Sequence, residues 1–177
     1  LTSGDTYLVR LFMDDFSTAV NYSLCLTDNS PPTNDEWAQA IMLVQDASDW
    51  CESSTTGTFA GATNSQAVAD CDGQLASAND DVWYQFIAAT ETPIIELEYL
   101  WGDYRLELFT ADASTLLACA QGGVLTASGL SVGTIYLIRV FSASDQPLSA
   151  VEGQFSICVY GLPSFTISTQ SNGSCLP

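Results

Sequence analysis

The sequence predicts an all-β protein built as an antiparallel β-sandwich. Short runs rich in Val, Ile, Leu, Tyr and Phe recur along the chain, and turn residues such as Gly, Asn and Asp separate them. Short strands at this spacing are typical of sandwiches, in which two sheets bury their apolar faces against each other. Apolar residues make up 47% of the 177-residue chain, which is enough for a sizeable core.

An internal repeat predicts that a hairpin of an adjacent repeat precedes this sandwich. LTSGDTYLVRLF at 1–12 matches LSVGTIYLIRVF at 130–141 in one register, and NYSLCLT at 21–27 matches GQFSICVY at 153–160. The period of about 130 residues is the size of a domain. We therefore expect residues 1–28 to be the last two strands of a preceding copy.

The remaining chain divides into three parts. Residues 29–36, NSPPTNDE, are predicted to be a linker, because two prolines stiffen the segment and polar side chains keep it solvated. Residues 33–162 are predicted to form one complete domain. Residues 163–177 are predicted to be a tail or the start of a next domain.

Within the domain, one helical turn is expected before the strands. EWAQAIML at 36–43 predicts this turn, with Asn34 or Asp35 as its N-cap. The strand-like runs that follow are residues 56–65, 80–89, 93–100, 104–111, 115–120, 123–130, 134–141 and 154–161.

Composition excludes several classes of function. The chain has 21 acidic residues, 3 basic residues and no histidine, for a formal charge of −18. Nucleic acids and anionic membranes are therefore excluded as partners, because both need clustered Lys and Arg. The sequence contains no apolar stretch of about 20 residues, so no membrane insertion is expected. Arg10 and Arg139 occupy equivalent repeat positions inside apolar runs, which favours a structural ion pair on a sheet face.

Enzymatic chemistry is not expected. A nucleophile activated by histidine, or a zinc site built on histidine, is impossible in this chain. Glu96 and Glu98 share one face of a strand because side chains alternate, and Glu107 follows in the next strand. Paired carboxylates hydrolyse glycosides in some enzymes. We favour the alternative that these glutamates form the solvated face of an outer sheet.

Calcium is the one cofactor for which the sequence offers ligands. Asn79, Asp80 and Asp81 precede a core strand, and Asp103 precedes another. Hard oxygen ligands from two loops at one end of a sandwich suit Ca²⁺. The alternative is that these residues only shape turns, which Asn and Asp favour.

Aromatic residues suggest a surface for ligands. Trp101 lies in a predicted turn, and Tyr99 and Tyr104 flank it, so the three could form a platform for a sugar or a partner chain. The alternative is that Trp101 packs over the end of the sandwich. Trp83 alternates with apolar neighbours and is predicted to lie in the core.

Several motifs taken together resemble a known family. They are NDDVWYQFIA at 79–88, DYRLELFT at 103–110, LLACA at 116–120, LSVGTIYLIRVFS at 130–142 and FSICV at 155–159. The combination resembles the bacterial pre-peptidase C-terminal domain, in the variant found in tandem in large secreted and surface proteins of gliding bacteria. This resemblance covers residues 34–160 and, in part, 1–27. It implies a jelly-roll-like sandwich acting as a non-catalytic accessory module outside the cell.

The chain departs from that pattern at two places. Trp37 and Ala38 stand where the family usually has a cysteine, and ADASTLL at 111–117 lacks a further one. The cysteines nonetheless indicate an exported protein with disulfides. We predict that Cys51 pairs with Cys71, which is 20 residues further on, and that Cys119 pairs with Cys158 on what could be a neighbouring strand.

The leading functional prediction is a structural or adhesive repeat module of a large secreted or cell-surface protein. Its predicted partners are adjacent repeats or neighbouring copies of the same protein. Neighbouring copies would join head to tail by strand complementation, as in a filament. The alternative is an accessory domain of a secreted hydrolase that binds extracellular polysaccharide or another polymer.

Overall fold

The computed structural model describes residues 5–12, 24, 30–67, 80–99, 102–143 and 153–163. These residues confirm the all-β prediction, since they contain ten strands and a single 3₁₀ turn, Trp37–Gln39. The strands are β1 (Ile41–Leu43), β2 (Gln45–Asp46), β3 (Thr55–Thr58), β4 (Asp81–Ile87), β5 (Ile94–Tyr99), β6 (Tyr104–Thr110), β7 (Leu116–Gln121), β8 (Val124–Thr126), β9 (Ile135–Ser142) and β10 (Gln154–Tyr160).

The strands form two sheets. The first sheet has the order β1-β4-β9-β6-β7, and the second has the order β2-β10-β5-β8, with β3 pairing to β10 as well. Most pairs are antiparallel, as predicted. The exceptions are β1 with β4 and β2 with β10, which run parallel. These two short strands are consecutive in the chain, which passes from one sheet to the other at the exposed Val44.

One core lies between the sheets. Side chains that alternate along each strand point inward, as a period of two requires. Large buried members of this core include Phe59, Tyr84, Phe86, Ile95, Tyr104, Leu106, Leu108, Leu125, Ile138, Phe155 and Ile157. At about 25 cal/mol per Å² of apolar surface, such burial is the main source of stability.

The predicted helical turn is only partly correct. The 3₁₀ turn Trp37–Gln39 covers its first half, and its N-cap is Glu36, which makes no side-chain capping bond. The second half, from Ile41, is strand β1. The three residues of the 3₁₀ turn bury no side chain, so a longer helix would gain little from packing. As strand β1, residues 41–43 pair with β4 instead, and this tertiary contact favours the strand over the predicted helix.

Asn34 and Asp35 do not cap the turn, because both side chains form hydrogen bonds elsewhere in the domain. The Asn34 amide donates to the carbonyl of Trp83 at 3.0 Å, and the Trp83 amide donates to the carbonyl of Asn34 at 2.8 Å. The Asp35 carboxylate accepts from the backbone and hydroxyl of Thr63, both at 2.7 Å. The two residues thus attach the start of the domain to β4 and to the segment before it.

The outer face of the first sheet is covered and not solvated. Residues 64–67 lie over it, and the Trp83 indole donates to the Ser65 hydroxyl at 2.8 Å. Beneath this segment lies Arg139 of β9, whose side chain is 0% exposed. The prediction that Arg139 forms a structural ion pair on a sheet face is confirmed.

Every N–H of the Arg139 guanidinium group has an acceptor. Nε donates to the Asp81 carboxylate at 2.7 Å, and one terminal nitrogen donates to Glu107 at 3.1 Å. The remaining donors reach the carbonyls of Gln66 and Ala67 and the Asn64 side chain. A guanidinium group has five N–H donors, so this buried cation is fully satisfied.

The predicted cysteine pairing is wrong. Cys51 is bonded to Cys158, 107 residues away. Cys119 is also disulfide-bonded, and Cys71 lies outside the described residues. Distance along the chain does not determine this pairing, because β2 and β3 both pair with β10. The segment that links them, which contains Cys51, therefore lies beside Cys158.

Residues 5–12 belong to neither sheet. The predicted strand here is not formed, and the side chains of this segment are exposed. A strand needs a neighbour to pair with, and none is present among the described residues. The rest of the predicted hairpin, apart from Leu24, lies outside the described residues.

Replacing Arg139 by Met should strongly destabilise the domain. The change leaves Asp81 and Glu107 buried without their cation, and breaking a buried pair in this way costs about 3–5 kcal/mol. Urea denaturation measures the loss. Arg10→Met is the matched control and should change stability by less than about 0.5 kcal/mol, because Arg10 is exposed. Adding Asp81→Asn and Glu107→Gln to Arg139→Met should recover part of the loss; equal stability of Arg139→Met and wild type would contradict this account.

Removing the Cys51–Cys158 bond should also destabilise the domain. A bond that closes so long a loop restricts the unfolded chain, and its loss in Cys51→Ala/Cys158→Ala should cost about 2–5 kcal/mol. Chemical denaturation of the double variant measures the cost. Peptide mapping without reduction checks the connectivity, and a fragment joining Cys158 to Cys119 would contradict it.

Candidate functional site

The outer face of the second sheet carries a row of polar side chains. In the register of the sheet, Ser156 of β10 lies opposite Thr56 of β3 on one side and Glu98 of β5 on the other. Thr56 and Glu98 are exposed and Ser156 is partly exposed. Side chains alternate along each strand, so this row points away from the core, which receives Phe155 and Ile157.

The row lies in an open groove, which we call the β10 groove. One part is a depression of about 390 Å³ lined by Thr56, Thr58, Gln154 and Phe155, with Gly57 at its floor. Neighbouring depressions of about 240 and 220 Å³ extend it along β5 and toward the disulfide. The first of these volumes is within the usual range of small-ligand sites, about 300–1,000 Å³.

Gly57 keeps β3 close to the core at this place. A Cβ atom at position 57 would collide with the Tyr84 hydroxyl and the Phe155 ring. A larger residue would therefore push β3 away from β10 and change the shape of the groove. Position 57 therefore requires glycine, because only glycine has no Cβ atom.

The far end of the groove is acidic and is fixed by the disulfide. Glu96 lies opposite Cys158 in the register, and Cys51, Ser54 and both glutamates of β5 line this end. Burial raises the pKa of the Tyr160 hydroxyl, and the neighbouring Glu96 carboxylate raises it further. Tyr160 therefore stays a neutral hydroxyl beside a carboxylate.

Glu96 and Glu98 are arranged as the non-catalytic interpretation expected, whereas the expectation that Glu107 is solvated is wrong, because Glu107 is 1% exposed. Ile95 and Leu97 face the core, while Glu98 is exposed and Glu96 is partly exposed on the same outer face. Glu107 is in the other sheet, where it is bonded to Arg139. Glu107 therefore cannot act with Glu96 or Glu98 across one groove.

Two members of the predicted aromatic platform, Tyr99 and Tyr104, lie among the described residues. Tyr99 borders the groove, and its ring meets Tyr104 edge to face, with centroids 4.4 Å apart. Tyr104 is fully buried against Phe59, so it offers no ring face to a ligand. Trp101 lies outside the described residues. Of the three, Tyr99 is the side chain that the structure places at the groove.

Three of the four predicted calcium ligands, Asp80, Asp81 and Asp103, lie at one end of the first sheet. Asp81 begins β4, and Asp103 directly precedes β6. The Asp81 carboxylate is occupied by Arg139, and the exposed Asp103 carboxylate pairs with Arg105 at 3.0 Å. Asp80 is buried, and Asn79 lies outside the described residues. Within the described ranges, no group of three acidic or sulfur ligands is suited to a metal ion, and calcium stays a prediction.

Sequence reasoning missed the polar row itself. Thr56, Glu98 and Ser156 are separated by 42 and 58 residues, and only the pairing of β3, β10 and β5 brings them together. Each is an ordinary polar residue in its own strand. The only signal was the alternation around Glu98, which identified an outer face but not its neighbours.

Two sheets around one core define a β-sandwich, and an open polar groove lies on the outer face of its second sheet. Residues 33–157 match a family of galactose-binding-domain-like domains associated with T9SS, the type IX secretion system. The match covers most of the chain, and the chain therefore belongs to this family. A search of curated proteins found no match.

Family membership defines the broad class of the protein. A galactose-binding-domain-like domain is a binding module and not a catalytic one, and its association with T9SS indicates a secreted or cell-surface protein. The match fits the β-sandwich that the sequence resemblance implied, without being specific to the pre-peptidase type. Among the described residues, no helix has the length and apolarity that crossing a membrane requires.

Replacing Glu96 by Gln should lower the pKa of Tyr160 toward its ordinary value. The change removes the carboxylate, while burial, the largest single cause, and the charge of Asp49 stay in place, so the pKa should fall only in part. NMR titration with labelled tyrosine measures it. Glu91→Gln, an exposed substitution of the same kind in the turn before β5, should leave the Tyr160 pKa unchanged; an equal effect of both variants would contradict the assignment.

Proposed function

We propose that the domain binds a neutral polysaccharide outside the cell through the β10 groove. The observation that carries this proposal is the row of Thr56, Ser156 and Glu98 across three strands. Hydroxyl groups both donate and accept hydrogen bonds, and an ionised carboxylate accepts them strongly. A sugar presents hydroxyl groups at short intervals, so it is complementary to such a row.

The charge of the groove favours a neutral ligand. Glu96 and Glu98 lie within one strand, and the chain as a whole carries a formal charge of −18. A polysaccharide rich in carboxylate or sulfate groups would be repelled by this field. A neutral chain meets no such cost, and its hydroxyl groups can donate to both carboxylates.

The shape of the groove favours a polymer over an enclosed small molecule. The depressions adjoin one another along β10 and open to solvent, with Gln154 at one end and the Cys51–Cys158 bond at the other. An open groove admits an internal segment of a long chain. The rim residue Tyr99 adds an apolar surface for a sugar ring.

Replacing Glu98 by Gln should weaken polysaccharide binding by about tenfold or more. A hydrogen bond to a charged group contributes about 1.5–3 kcal/mol, and about 1.4 kcal/mol corresponds to a factor of ten in affinity. Affinity electrophoresis in gels containing neutral polysaccharides measures the change. Glu91→Gln is the matched control, since it removes the same charge seven residues away along the chain.

Two further variants sharpen this test. Ser156→Ala should weaken polysaccharide binding without changing the net charge. A loss of binding in this variant would come from a lost hydrogen bond and not from a change in the electrostatic potential of the groove. Trp101→Ala tests the predicted aromatic platform. If wild-type protein binds no neutral polysaccharide, or if Glu98→Gln and Glu91→Gln bind alike, the groove is not the site.

A structural or adhesive role in a repeat array is the second candidate function. It is favoured by the internal repeat and by the exposed apolar side chains of Leu8, Val9, Leu11 and Phe12. In this role the domain would be one unit of a larger surface protein or filament. The two candidates are compatible, because the groove and residues 5–12 are separate parts of the chain.

A further inference from the structure

Residues 5–12 repeat the sequence of the central strand of the sandwich. Aligned with residues 134–141, they have the same residue at four positions, Tyr7, Leu8, Arg10 and Phe12. The counterparts are Tyr136, Leu137, Arg139 and Phe141 of β9. The other four pairs include Val9 with Ile138 and Leu11 with Val140, which are conservative apolar changes.

The two copies have opposite environments. From Tyr136 to Ser142, β9 is buried on both faces between β4 and β6. In the other copy, Leu8 is 97% exposed and Phe12 is 73% exposed. The same contrast continues in the second half of the repeat, where Leu24 is 55% exposed and its counterpart Ile157 is fully buried. Leu8, Phe12 and Leu24 thus correspond to core residues of the described domain and are themselves exposed.

The local geometry around the arginine is also repeated. The Arg10 guanidinium lies over the ring of Phe12, 5.6 Å from its centroid, and that of Arg139 lies over Phe141 at 5.0 Å. In β9 the same arginine is held by Asp81 and Glu107 from the two flanking strands. Arg10 thus repeats the arginine–phenylalanine contact of β9, and the described residues supply no carboxylate for it.

The described sandwich cannot accept residues 5–12. The place between β4 and β6 is already filled by β9, with seven paired residues on each side. An identical copy of this chain has the same place filled in the same way. A sandwich that accepts residues 5–12 in this place would have the flanking strands and lack its own central strand.

We propose that residues 5–12 are the central strand of a second domain of this fold, which precedes the described domain in the same polypeptide. Arg10 is buried there between two carboxylates, in the place that Arg139 takes here. This proposal is independent of polysaccharide binding, which concerns the β10 groove.

The sequence separations between the paired residues of the described domain predict where the matching residues of the preceding domain should lie. Asp81 and Glu107 precede Arg139 by 58 and 32 residues, and Cys51 precedes Cys158 by 107 residues. The preceding domain should therefore have acidic residues about 58 and 32 residues before Arg10. It should also have a cysteine about 107 residues before Cys25, the counterpart of Cys158, with shifts of a few residues where loop lengths differ.

The native polypeptide provides the first test. Sequencing it upstream of Leu1, from the protein or its message, should show a strand-rich segment with these two acids and this cysteine. Hydrogen exchange on that polypeptide should show the amides of residues 5–12 as protected as those of residues 134–141. A native terminus near Leu1, or rapid exchange of residues 5–12 in the longer polypeptide, would overturn the proposal.

Matched substitutions in the 177-residue chain provide the second test. Leu8→Asp should shift the melting temperature by less than about 2 °C, whereas Leu137→Asp should abolish cooperative unfolding. Equal losses would mean that residues 5–12 belong to this domain, contrary to the proposal.

A graft tests whether residues 5–12 can act as a central strand. Four substitutions give residues 134–141 the sequence of residues 5–12. They are Thr134→Asp, Ile135→Thr, Ile138→Val and Val140→Leu. The grafted chain should still unfold cooperatively, and adding Arg139→Met to it should lower the melting temperature as in wild type. A graft that does not fold would overturn the equivalence of the two segments.

Discussion

The buried guanidinium of Arg139 is the interaction on which the first sheet depends. It joins β4, through Asp81, to β6, through Glu107, and it holds residues 64–67 over the outer face. An arginine removed from water costs several kcal/mol unless all its donors are satisfied. Here all five are, so the cation is compatible with burial only in one arrangement of the strands. A slip of β9 by one residue would carry Arg139 into the apolar core and leave both carboxylates unpaired.

This arrangement makes the two outer faces of the sandwich unlike each other. On the first sheet, Trp83, Leu137 and Phe109 pack together beneath the covering chain, so that face serves stability. On the second sheet, the polar row of the β10 groove stays accessible. The disulfide to Cys158 fixes one end of that groove, and the missing side chain at Gly57 allows β3 to lie close to Tyr84 and Phe155. Binding is therefore expected where the structure leaves polar groups open to solvent.

The strands were predictable because their signal is local. Alternation of apolar and polar residues identified β4 to β10, and it identified Glu98 as outward-facing. Local patterns could not identify the features that depend on pairing between distant strands. The Cys51–Cys158 bond, the parallel strands β1 and β2, and the row of Thr56, Ser156 and Glu98 all join residues from distant segments. Arg139 is an intermediate case, since its place in an apolar strand indicated an ion pair and not the identity of its partners.

A charged residue in the middle of a core strand restricts which sandwich can accept that strand. A purely apolar strand is stabilised by any apolar cleft of suitable width, whereas Arg10 would be buried without compensation in a cleft that lacks carboxylates at the right positions. The arginine thus excludes wrong acceptors more than it stabilises the right one, as buried polar residues do when they specify register in coiled coils. In a protein that repeats one fold, neighbouring domains expose similar apolar edges while they form. An ionic requirement at the centre of the strand then favours pairing in the correct register with the correct partner strands.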